Sequence, residues 1–340
     1  MNIKHNISLK HYNTFGIDVN ATHFITVTSV NELITVLNHT DYSDIVVLGG
    51  GSNILFTQHV NALVIHVNSK GKRIVYEDDT IVHIEVAAGE NWHEFVLWTL
   101  EHQFGGIENL SLIPGNTGAA PIQNIGAYGV ELKDVFIACQ AVDKTTRDIR
   151  KFTHSECKFG YRNSIFKNEA KGKYIITSVT LRLQKKEHRL HLSYGSIQDM
   201  LEAKEIHPPT IKDVSDAVIR IRKSKLPDPA ILGNGGSFFK NPVIPVAHFN
   251  RIKKTHPNIP SYPVPESPEQ QLKIPAGWLI EQCGFKGKRM GDAGVHEKQA
   301  LVLVNYGNAT GASIRELAKT IQATVKQRFD IALETEVNIL

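Results

Sequence analysis

The sequence predicts an α+β fold with several small sheets, and three observations support this prediction. Runs rich in β-branched residues dominate the first half of the chain, which is typical of sheet. Amphipathic segments with helical spacing are interspersed among these runs, which favours a mixed fold. The composition then changes at residues 206–229, where prolines bound a helix that starts at about Ile211. Because 340 residues exceed what one hydrophobic core usually serves, we expect a separate C-terminal domain after this boundary.

The first half combines strands with two helices. Ser29 with Glu32 three residues later forms a capping box, which predicts a helix start. A second amphipathic helix is predicted at 91–102. The predicted strands are residues 23–27, 44–49, 62–67, 81–89, 135–143 and 174–183.

The last third predicts two more helices around one strand. "PAGWLIEQCG" is one helix, and "GASIRELAKTIQATVKQRFD" is another, with Ser313 and Glu316 as its expected capping pair. Residues 300–305 are the predicted strand, and the final "ETEVNIL" is strand-like.

Composition and charge exclude several classes of protein. The formal net charge of +4 is spread along the chain without a basic stripe, so a nucleic-acid partner is not expected. The cysteines, Cys139, Cys157 and Cys283, are odd in number and far apart, which indicates neither a disulfide framework nor a zinc site. No other cluster has metal-ligand spacing, and no metal is expected.

The start lacks a signal-peptide pattern and no run of 18 apolar residues occurs, so we expect a cytoplasmic protein without membrane insertion.

A glycine run follows the predicted strand at 44–49. In "LGGGSNILF", residues 48–56, successive backbone N–H groups before Ser52 and Asn53 could hold a phosphate. The run lacks the lysine of a P-loop and is followed by apolar strand rather than helix, so neither P-loop nor Rossmann chemistry is indicated. A plain Gly-rich hairpin remains the alternative.

A second loop, residues 112–132, is rich in glycine and alanine and almost uncharged. Its polar side chains include Gln123, Asn124 and Tyr128, and its small residues would let a flat ligand approach the backbone. Together the two loops suggest one extended ligand, with a pyrophosphate at the first and a planar ring system along the second. The alternative is that both are tight turns without a ligand.

Four further residues each allow both a structural and a functional interpretation. Arg162, flanked by Tyr161 and Asn163, could grip a carboxylate or phosphate, although its surroundings also fit a solvated loop arginine. Tyr194 could reach a ligand or pack as an aromatic, and Lys225 could face a phosphate or end a solvated helix. Ser237 in "GNGGSFFKNP" is locally a hydroxyl in a flexible turn.

Taken together, these stretches closely resemble the UDP-N-acetylenolpyruvoylglucosamine reductase family almost from end to end. The motifs that carry the resemblance occur in the family's order: "NTFGID", "LGGGSNILF", "IPGNTGAAPIQNIGAYGVEL", "FGYRNSIFK", "KLPDP", "GNGGSFFKNP", "PAGWLIEQCG", "HEKQALVLVN" and "LETEV". The "LSYGS" and "PAGWLIEQCG" segments resemble the subclass with a substrate-covering tyrosine loop.

The resemblance implies a two-part FAD-binding domain of the vanillyl-alcohol oxidase and p-cresol methylhydroxylase type, followed by a C-terminal α+β substrate domain. We expect a first FAD subdomain at 1–70, joined by a C-terminal strand at 333–340, a second at 71–220, and a substrate domain at 221–332. The implied cofactor is FAD with NADPH as reductant, the implied partner is a UDP-sugar substrate, and a monomer is expected.

The resemblance also assigns residues to roles. Catalytic roles fall on Arg162, Ser237 and Glu336. Implied cofactor contacts are Gly49, Gly50, Gly51, Ser52, Asn53, Pro114, Gly115, Gly118, Ala119, Ile122, Gln123, Asn124, Gly126 and Tyr128. Implied substrate contacts are Tyr194, Lys225, Asn241, Tyr262 and Gln299.

The implied reaction is hydride transfer to an enolpyruvyl carbon followed by protonation. Arg162 with Glu336 would stabilise the enolate, and Ser237 would protonate the adjacent carbon. The sequence offers backbone N–H groups, Lys240 or Asn241 to support Ser237. Asn338 stands where relatives usually have arginine, and Ala119 and Ala120 replace small polar residues seen in some relatives.

Two competing functions stay open from the sequence alone. A flavin oxidase of the same fold would act on an unrelated alcohol, but "GNGGSFFKNP" and "LETEV" argue against it. A nucleotide-sugar binding or regulatory protein without catalysis would not be expected to retain Arg162, Ser237 and Glu336 together.

Overall fold

The computed structural model describes residues 2–39, 42, 44–264 and 270–340. The chain divides into two compact units. The first comprises residues 1–7, 21–50 and 61–224, and the second comprises 8–20, 51–60 and 225–340. Both units are therefore discontinuous in sequence, and the predicted boundaries at 70 and 220 stay a prediction.

The elements confirm the mixed composition of strands and helices. The strands are β1 Lys4–Ser8, β2 Asn20–Val27, β3 Ile45–Leu48, β4 Ile54–Leu55, β5 Val60–Val67, β6 Lys72–Glu77, β7 Ile81–Ala87, β8 Gly126–Ala127, β9 Val130–Glu131, β10 Phe136–Asp143, β11 Ile149–Thr153, β12 Tyr174–Gln184, β13 Gly233–Ser237, β14 Val243–Pro245, β15 Tyr262–Pro263, β16 Gln271–Lys273, β17 Arg289–Met290, β18 Ala293–Val295, β19 Val302–Asn305 and β20 Asn338–Ile339. The α-helices are α1 Val30–Asn38, α2 Trp92–Glu101, α3 His154–Cys157, α4 Gly195–Glu202, α5 Ile211–Lys225, α6 Val246–Thr255, α7 Ala276–Gln282 and α8 Gly311–Phe329.

The first unit contains a four-stranded sheet in the order β1-β2-β5-β3, in which β3 runs parallel to β5. Helix α1 begins as its capping box predicts, because the Ser29 side chain accepts a hydrogen bond from the Glu32 N–H. Its apolar face, with Leu33, Val36 and Leu37, packs into the same buried cluster as residues of β2 and β5. Burying these side chains holds the helix on the sheet.

A five-stranded antiparallel sheet, ordered β11-β10-β12-β7-β6, forms the larger part of the first unit. Helix α2, capped by Asn91, buries Trp92, Phe95 and Val96 in the same core as β7, β10 and β12. The short hairpin of β8 and β9 contributes Val130 to this core. The glycine and alanine segment at 112–132 is thus attached to a rigid sheet.

Helices α4 and α5 form a smaller buried cluster of their own in this unit. Ile197 and Leu201 of α4 pack with Val214, Val218 and Ile221 of α5. Helix α5 starts at Ile211 as predicted, whereas α4 was not predicted. The side chain of Tyr128 packs against this pair of helices.

The second unit contains a four-stranded sheet ordered β13-β19-β18-β17, against which the long helix α8 packs. The predicted cap of α8 is wrong. The helix starts at Gly311, so Thr310 is the N-cap, and its hydroxyl accepts a hydrogen bond from the Ser313 N–H. Strand β20 pairs in parallel with β4.

The prediction of a flexible turn around Ser237 is also wrong. Residues Gly233–Ser237 form strand β13, which pairs with β19, and a register shift separates Asn234 from Ser237. Gly236 has a φ of +70°, which a glycine adopts without steric cost and which accommodates the shift. Ser237 therefore lies at the end of an irregular strand with a fixed backbone.

Candidate functional site

The two Gly-rich segments contact each other within the first unit. A Cβ placed on Gly50 would lie 2.9 Å from the Cα of Gly115 and 2.9 Å from Oδ1 of Asn116. A Cβ placed on Gly49 would lie 3.6 Å from the Cβ of the same asparagine, which is ordinary van der Waals contact. A side chain at residue 50 would separate the segments, so glycine is needed there for this approach. Because the two segments are adjacent, a single extended ligand could contact both of them.

The continuation of the first segment, residues 51–53, belongs to the second unit. Gly51 has a φ of +62°, and a Cβ there would lie 2.0 Å from the Tyr12 carbonyl oxygen. The Asn53 side chain donates to the Glu336 carbonyl at 3.2 Å. Asn338 donates from its N–H and its side chain to the Asn53 carbonyl, at 3.1 and 3.0 Å. The segment is thus held in place by residues near Glu336.

The second segment has a 3₁₀ turn at Thr117–Ala119 and becomes strand only at Gly126. Pro114, Ala119 and Ile122 are exposed, whereas Gly115, Gly118 and Gln123 are partly buried. Asn124 is fully buried, and its side chain bonds to Glu131, Gly160 and Lys133 at 3.0 to 3.1 Å. Its side chain is therefore occupied within the protein, and a cofactor contact there would come from the backbone.

Arg162 lies directly against this segment. Backbone hydrogen bonds join Gly160 and Asn163 in both directions, so Tyr161 and Arg162 form a two-residue turn. Arg162 has a φ of +52°, which is uncommon for a residue with a long side chain. Its Nη2 donates to the Gly126 carbonyl at 2.6 Å. The strained backbone aims the guanidinium at the second Gly-rich segment, and such strain is common at functional sites.

Ser164 is a further contact that the sequence did not indicate. Its hydroxyl donates to the Ile122 carbonyl at 2.7 Å. With the Asn124 and Arg162 bonds, three hydrogen bonds join residues 160–164 to residues 122–126. The signal available was the closeness of the two residues in "FGYRNSIFK", since Ser164 comes two residues after Arg162.

Tyr194 is the N-cap residue of α4 and is half exposed. Its ring meets that of Tyr128 edge to face, with 5.2 Å between centroids and an interplanar angle of 76°. The structure therefore brings one predicted substrate residue against one predicted cofactor residue, both in the first unit.

In the second unit, Ser237 and Glu336 lie on adjacent segments. The Glu336 N–H donates to the carbonyl of Phe238 at 2.8 Å, and the Lys240 N–H donates to the carbonyl of Glu334 at 2.9 Å. Both Ser237 and Glu336 are partly buried. Within the described ranges, the structure gives the Ser237 hydroxyl no hydrogen bond.

The side chains considered as support for Ser237 are engaged elsewhere. Lys240 forms an ion pair of 2.9 Å with the exposed Glu334. Asn241 accepts through Oδ1 from the Ala276 N–H at 2.9 Å, at the start of α7. Neither is bonded to Ser237, so the sequence-based expectation that one of them supports its hydroxyl lacks structural support.

Asn241 and Gln299 both lie near the start of α7, at Ala276 and Gly277 respectively. A Cβ on Gly277 would lie 3.1 Å from Oε1 of Gln299, which packs this side chain on the turn that Asn241 caps. Tyr262, on β15, and Lys225, at the end of α5, are exposed. In the part of the chain that the structure describes, no hydrogen bond or ion pair joins these two residues to the other predicted substrate residues.

Arg222 and Lys223 place positive charge near Tyr128 and His93 in the first unit. The Arg222 guanidinium interacts with the Tyr128 hydroxyl, and its Nε is buried with no hydrogen-bond partner among the described residues. Burial lowers the pKa of Arg222 and raises that of Tyr128. His93 accepts from the Leu112 N–H at 3.0 Å, and burial, with Arg222 and Lys223 nearby, lowers its pKa.

Neither a metal centre nor a membrane span is indicated by the described part of the chain. Over those residues, no group of three His, Cys, Asp or Glu side chains could hold a metal ion. Over the same residues, no helix is long and apolar enough to cross a membrane.

Comparisons with known proteins match both parts of the chain. Residues 21–150 match the model of an FAD binding domain. Residues 228–340 match the model of the C-terminal domain of UDP-N-acetylenolpyruvoylglucosamine reductase. The first match covers both Gly-rich segments, and the second covers Ser237 and Glu336.

Similar proteins of the same length carry the same description. The UDP-N-acetylenolpyruvoylglucosamine reductase of Flavobacterium johnsoniae is 56% identical over 340 residues, covering 100% of both chains. That of Pseudomonas aeruginosa is 48% identical, covering 100% of this chain and 99% of its own. The crystal structure of the Thermus caldophilus enzyme superposes with a TM-score of 0.68 at 25% identity, covering 100% of this chain and 99% of that one. The predicted fold class and the FAD cofactor are confirmed.

The residues present fit FAD. The first Gly-rich segment, residues 48–56, has no charged side chain, the second has Glu131 near its end, and Gly50 allows the two backbones to approach. Arg222, which is partly buried, supplies positive charge in the same unit. Exposed backbone N–H groups with positive charge in the same unit suit a dinucleotide that has an anionic pyrophosphate and a planar ring.

Proposed function

Since the chain belongs to the UDP-N-acetylenolpyruvoylglucosamine reductase family, we propose that it reduces the enolpyruvyl group of UDP-N-acetylglucosamine enolpyruvate. The product is UDP-N-acetylmuramate, a precursor of peptidoglycan, and NADPH is the reductant. The observation that carries the proposal is the placement of Ser237 beside the Glu336 segment, where the Glu336 N–H bonds to the Phe238 carbonyl.

FAD would be held by backbone groups of both Gly-rich segments. The N–H groups at 49–53 suit the pyrophosphate, and the segment from Pro114 to Tyr128 suits the flavin ring. When bound there, FAD would supply the hydride-transfer chemistry that links NADPH to the enolpyruvyl group. The protein contributes binding, orientation and electrostatic stabilisation.

Arg162 is proposed to stabilise the negative charge that hydride transfer drives onto the substrate carboxylate. Its guanidinium plane is fixed by the bond to Gly126 and by the left-handed turn, so little reorganisation is needed as charge develops. One well-placed donor of this kind contributes about 3 kcal/mol to the transition state. Glu336 is proposed to share a proton with the same enolate.

Ser237 is proposed to protonate the carbon left electron-rich by hydride transfer. A hydroxyl is a weak acid, so its position must be well defined for the step to be efficient. The register shift in β13 and the pairing of Ser237 with Val302 fix its backbone. Ser237 as a residue is partly buried.

Substrate contacts are proposed at Tyr194, Lys225, Asn241, Tyr262 and Gln299. Asn241 and Gln299 already share one turn at the start of α7. Lys225 is an exposed cation suited to a phosphate, and the exposed rings of Tyr194 and Tyr262 could contact the nucleotide sugar.

The visible spectrum of the purified protein tests the function. Anaerobic NADPH should bleach the flavin band, and UDP-N-acetylglucosamine enolpyruvate should restore it with formation of UDP-N-acetylmuramate. UDP-N-acetylglucosamine, which lacks the enolpyruvyl group, is the matched control and should leave the flavin reduced. Rapid reoxidation by oxygen with no response to the enolpyruvyl substrate would instead identify an oxidase. Tight sugar-nucleotide binding by colourless protein would identify a binding protein.

A further inference from the structure

The turn between β8 and β9 has an unusual residue in its first position. Ala127 pairs with Val130, so Tyr128 and Gly129 are the two loop residues, and both have positive φ, at +52° and +83°. Such turns favour Asn, Asp or Gly in the first position, since a large side chain is strained there. A tyrosine at this strained position therefore indicates a functional role for its side chain or its backbone.

The backbone of Tyr128 is tied to the segment that carries Tyr194. Asn109 is 1% exposed, and its side-chain amide donates to two carbonyls, that of Tyr128 at 3.0 Å and that of His191 at 2.9 Å. Both N–H groups of this amide are used, so one buried side chain fixes the spacing between the turn and His191. His191 is three residues before Tyr194.

The side chain of Tyr128 makes a second connection to the same segment. Its ring meets the Tyr194 ring edge to face at 5.2 Å, and it also packs on the cluster of α4 and α5. Arg222 interacts with its hydroxyl. The ring is therefore held on several sides, and a displacement of the β8–β9 turn would be transmitted to Tyr194.

The turn is also continuous with the segment that suits the flavin. Gly126, two residues before Tyr128, accepts the hydrogen bond from Arg162, and Ile122 accepts from Ser164. A ligand bound along residues 114–126 would restrict this segment, and the restriction would reach Tyr128 through two residues of strand.

We propose that Tyr128 and Asn109 couple FAD binding to the position of Tyr194, so that Tyr128 is a positioning residue for the UDP-sugar. The role of Tyr194 in substrate binding rests on the proposed function, whereas the coupling to FAD does not. FAD that orders the turn also orders residues 191–194, and by reciprocity a ligand held by Tyr194 tightens FAD binding. Arg162 and Ser237 take no part in this coupling.

Hydrogen exchange of the full-length protein, with and without saturating FAD, tests the coupling directly. In the unsubstituted protein, FAD should slow amide exchange of residues 191–198 by about threefold or more, as expected for a locally ordered segment. Equal exchange in the two states would overturn the proposal without any variant.

Two substitutions separate the ring from the hydroxyl. Tyr128→Phe keeps the edge-to-face contact and should preserve the protection by FAD. Tyr128→Leu removes the ring at the same φ and should abolish it, while raising the KM for the enolpyruvyl substrate by about fivefold, the value expected for one aromatic pair. Undiminished FAD protection in Tyr128→Leu would overturn the proposal.

Asn109→Leu provides an independent variant, because it leaves both tyrosines in place and removes the tie to His191. It should reduce the protection by FAD, with retained FAD binding and a cooperative thermal transition as evidence of folding. If the enolpyruvyl substrate fails to reoxidise the flavin while FAD still protects residues 191–198, the proposed function fails and the coupling stands.

Discussion

The Nη2 atom of Arg162 donates a hydrogen bond of 2.6 Å to the carbonyl oxygen of Gly126. This contact joins the residue expected to stabilise substrate charge to the segment expected to contact the flavin. A Cβ on Gly126 would lie 3.0 Å from Nη1 of the same guanidinium. A side chain at residue 126 would therefore crowd the Arg162 guanidinium as well as the space expected for the cofactor.

Arg162→Lys should slow the reaction of the reduced enzyme with its enolpyruvyl substrate by about 10²-fold. Lysine keeps the charge but loses the planar fork, which removes about 3 kcal/mol of transition-state stabilisation. Stopped-flow reoxidation measures the effect, and bleaching by NADPH should change less than about twofold. Arg150→Lys is the control, since Arg150 lies on β11 in an exposed ion pair with Glu156. Comparable losses in both variants would contradict the assignment.

Ser237→Ala should slow reoxidation by the enolpyruvyl substrate by about 10² to 10⁴, the usual contribution of a positioned acid. The FAD content and the NADPH bleaching rate should match those of the unsubstituted protein, because the proton is needed only in the second half-reaction. Ser224→Ala serves as the control, since among the described residues the Ser224 hydroxyl bonds only to its own helix, at Ile221. An unchanged reoxidation rate would remove Ser237 from the mechanism.

Gly51→Ala should destabilise the protein more than Gly16→Ala. The two glycines have nearly equal φ, +62° and +65°, so alanine costs about 1 kcal/mol of backbone strain at either. Only at Gly51 would the new methyl group meet backbone, at 2.0 Å from the Tyr12 carbonyl oxygen, whereas Gly16 has nothing within 4 Å. Overpacking should add about 1 to 3 kcal/mol. Urea unfolding of FAD-free protein measures the difference, and equal losses would show that the loop relaxes freely.

His93→Gln should make stability less sensitive to acid. Burial, with Arg222 and Lys223, holds the folded-state pKa of His93 below its ordinary value. Its contribution is therefore complete above the unfolded pKa of about 6.5 and is lost as the pH falls from there towards the folded pKa. Gln keeps an acceptor for the Leu112 N–H. Urea unfolding at about pH 7.5 and about pH 5.5 should show a smaller loss in the variant. His66, His83 and His296, whose pKa values are also lowered, are common to both proteins.

Local patterns in the sequence predicted the elements whose signals are local. The Ser29 capping box, the helix at 91–102 and the β-branched strands all form where expected. Strand β6 was missed because most of its residues are exposed. A strand with two exposed faces does not need the alternation of apolar and polar residues by which strands are recognised in a sequence. The cap of α8 was misplaced by three residues because both Thr310 and Ser313 are good capping residues.

The site was harder to predict because its contacts are distant in sequence. Glycine-rich "GNGGS" has the local composition of a turn, and it is a strand because β19 pairs with it. Nothing near Arg162 specifies Gly126, and nothing near Tyr128 specifies Tyr194. Family resemblance supplied the roles of these residues, whereas the hydrogen bonds of Asn109, Ser164 and Asn338 required the folded chain.

The bonds of Asn53 to Glu336 and Asn338 have a consequence for how the protein is made. Asn53 leaves the ribosome 285 residues before Asn338 does, so the nascent chain holds it without its native partners for most of translation. The five-stranded sheet of the first unit, complete by residue 184, can form in the meantime. Closing so long a loop is entropically costly and slow. Capture of the dinucleotide is therefore expected to follow synthesis of residues 336–338 rather than to guide the early folding of the chain.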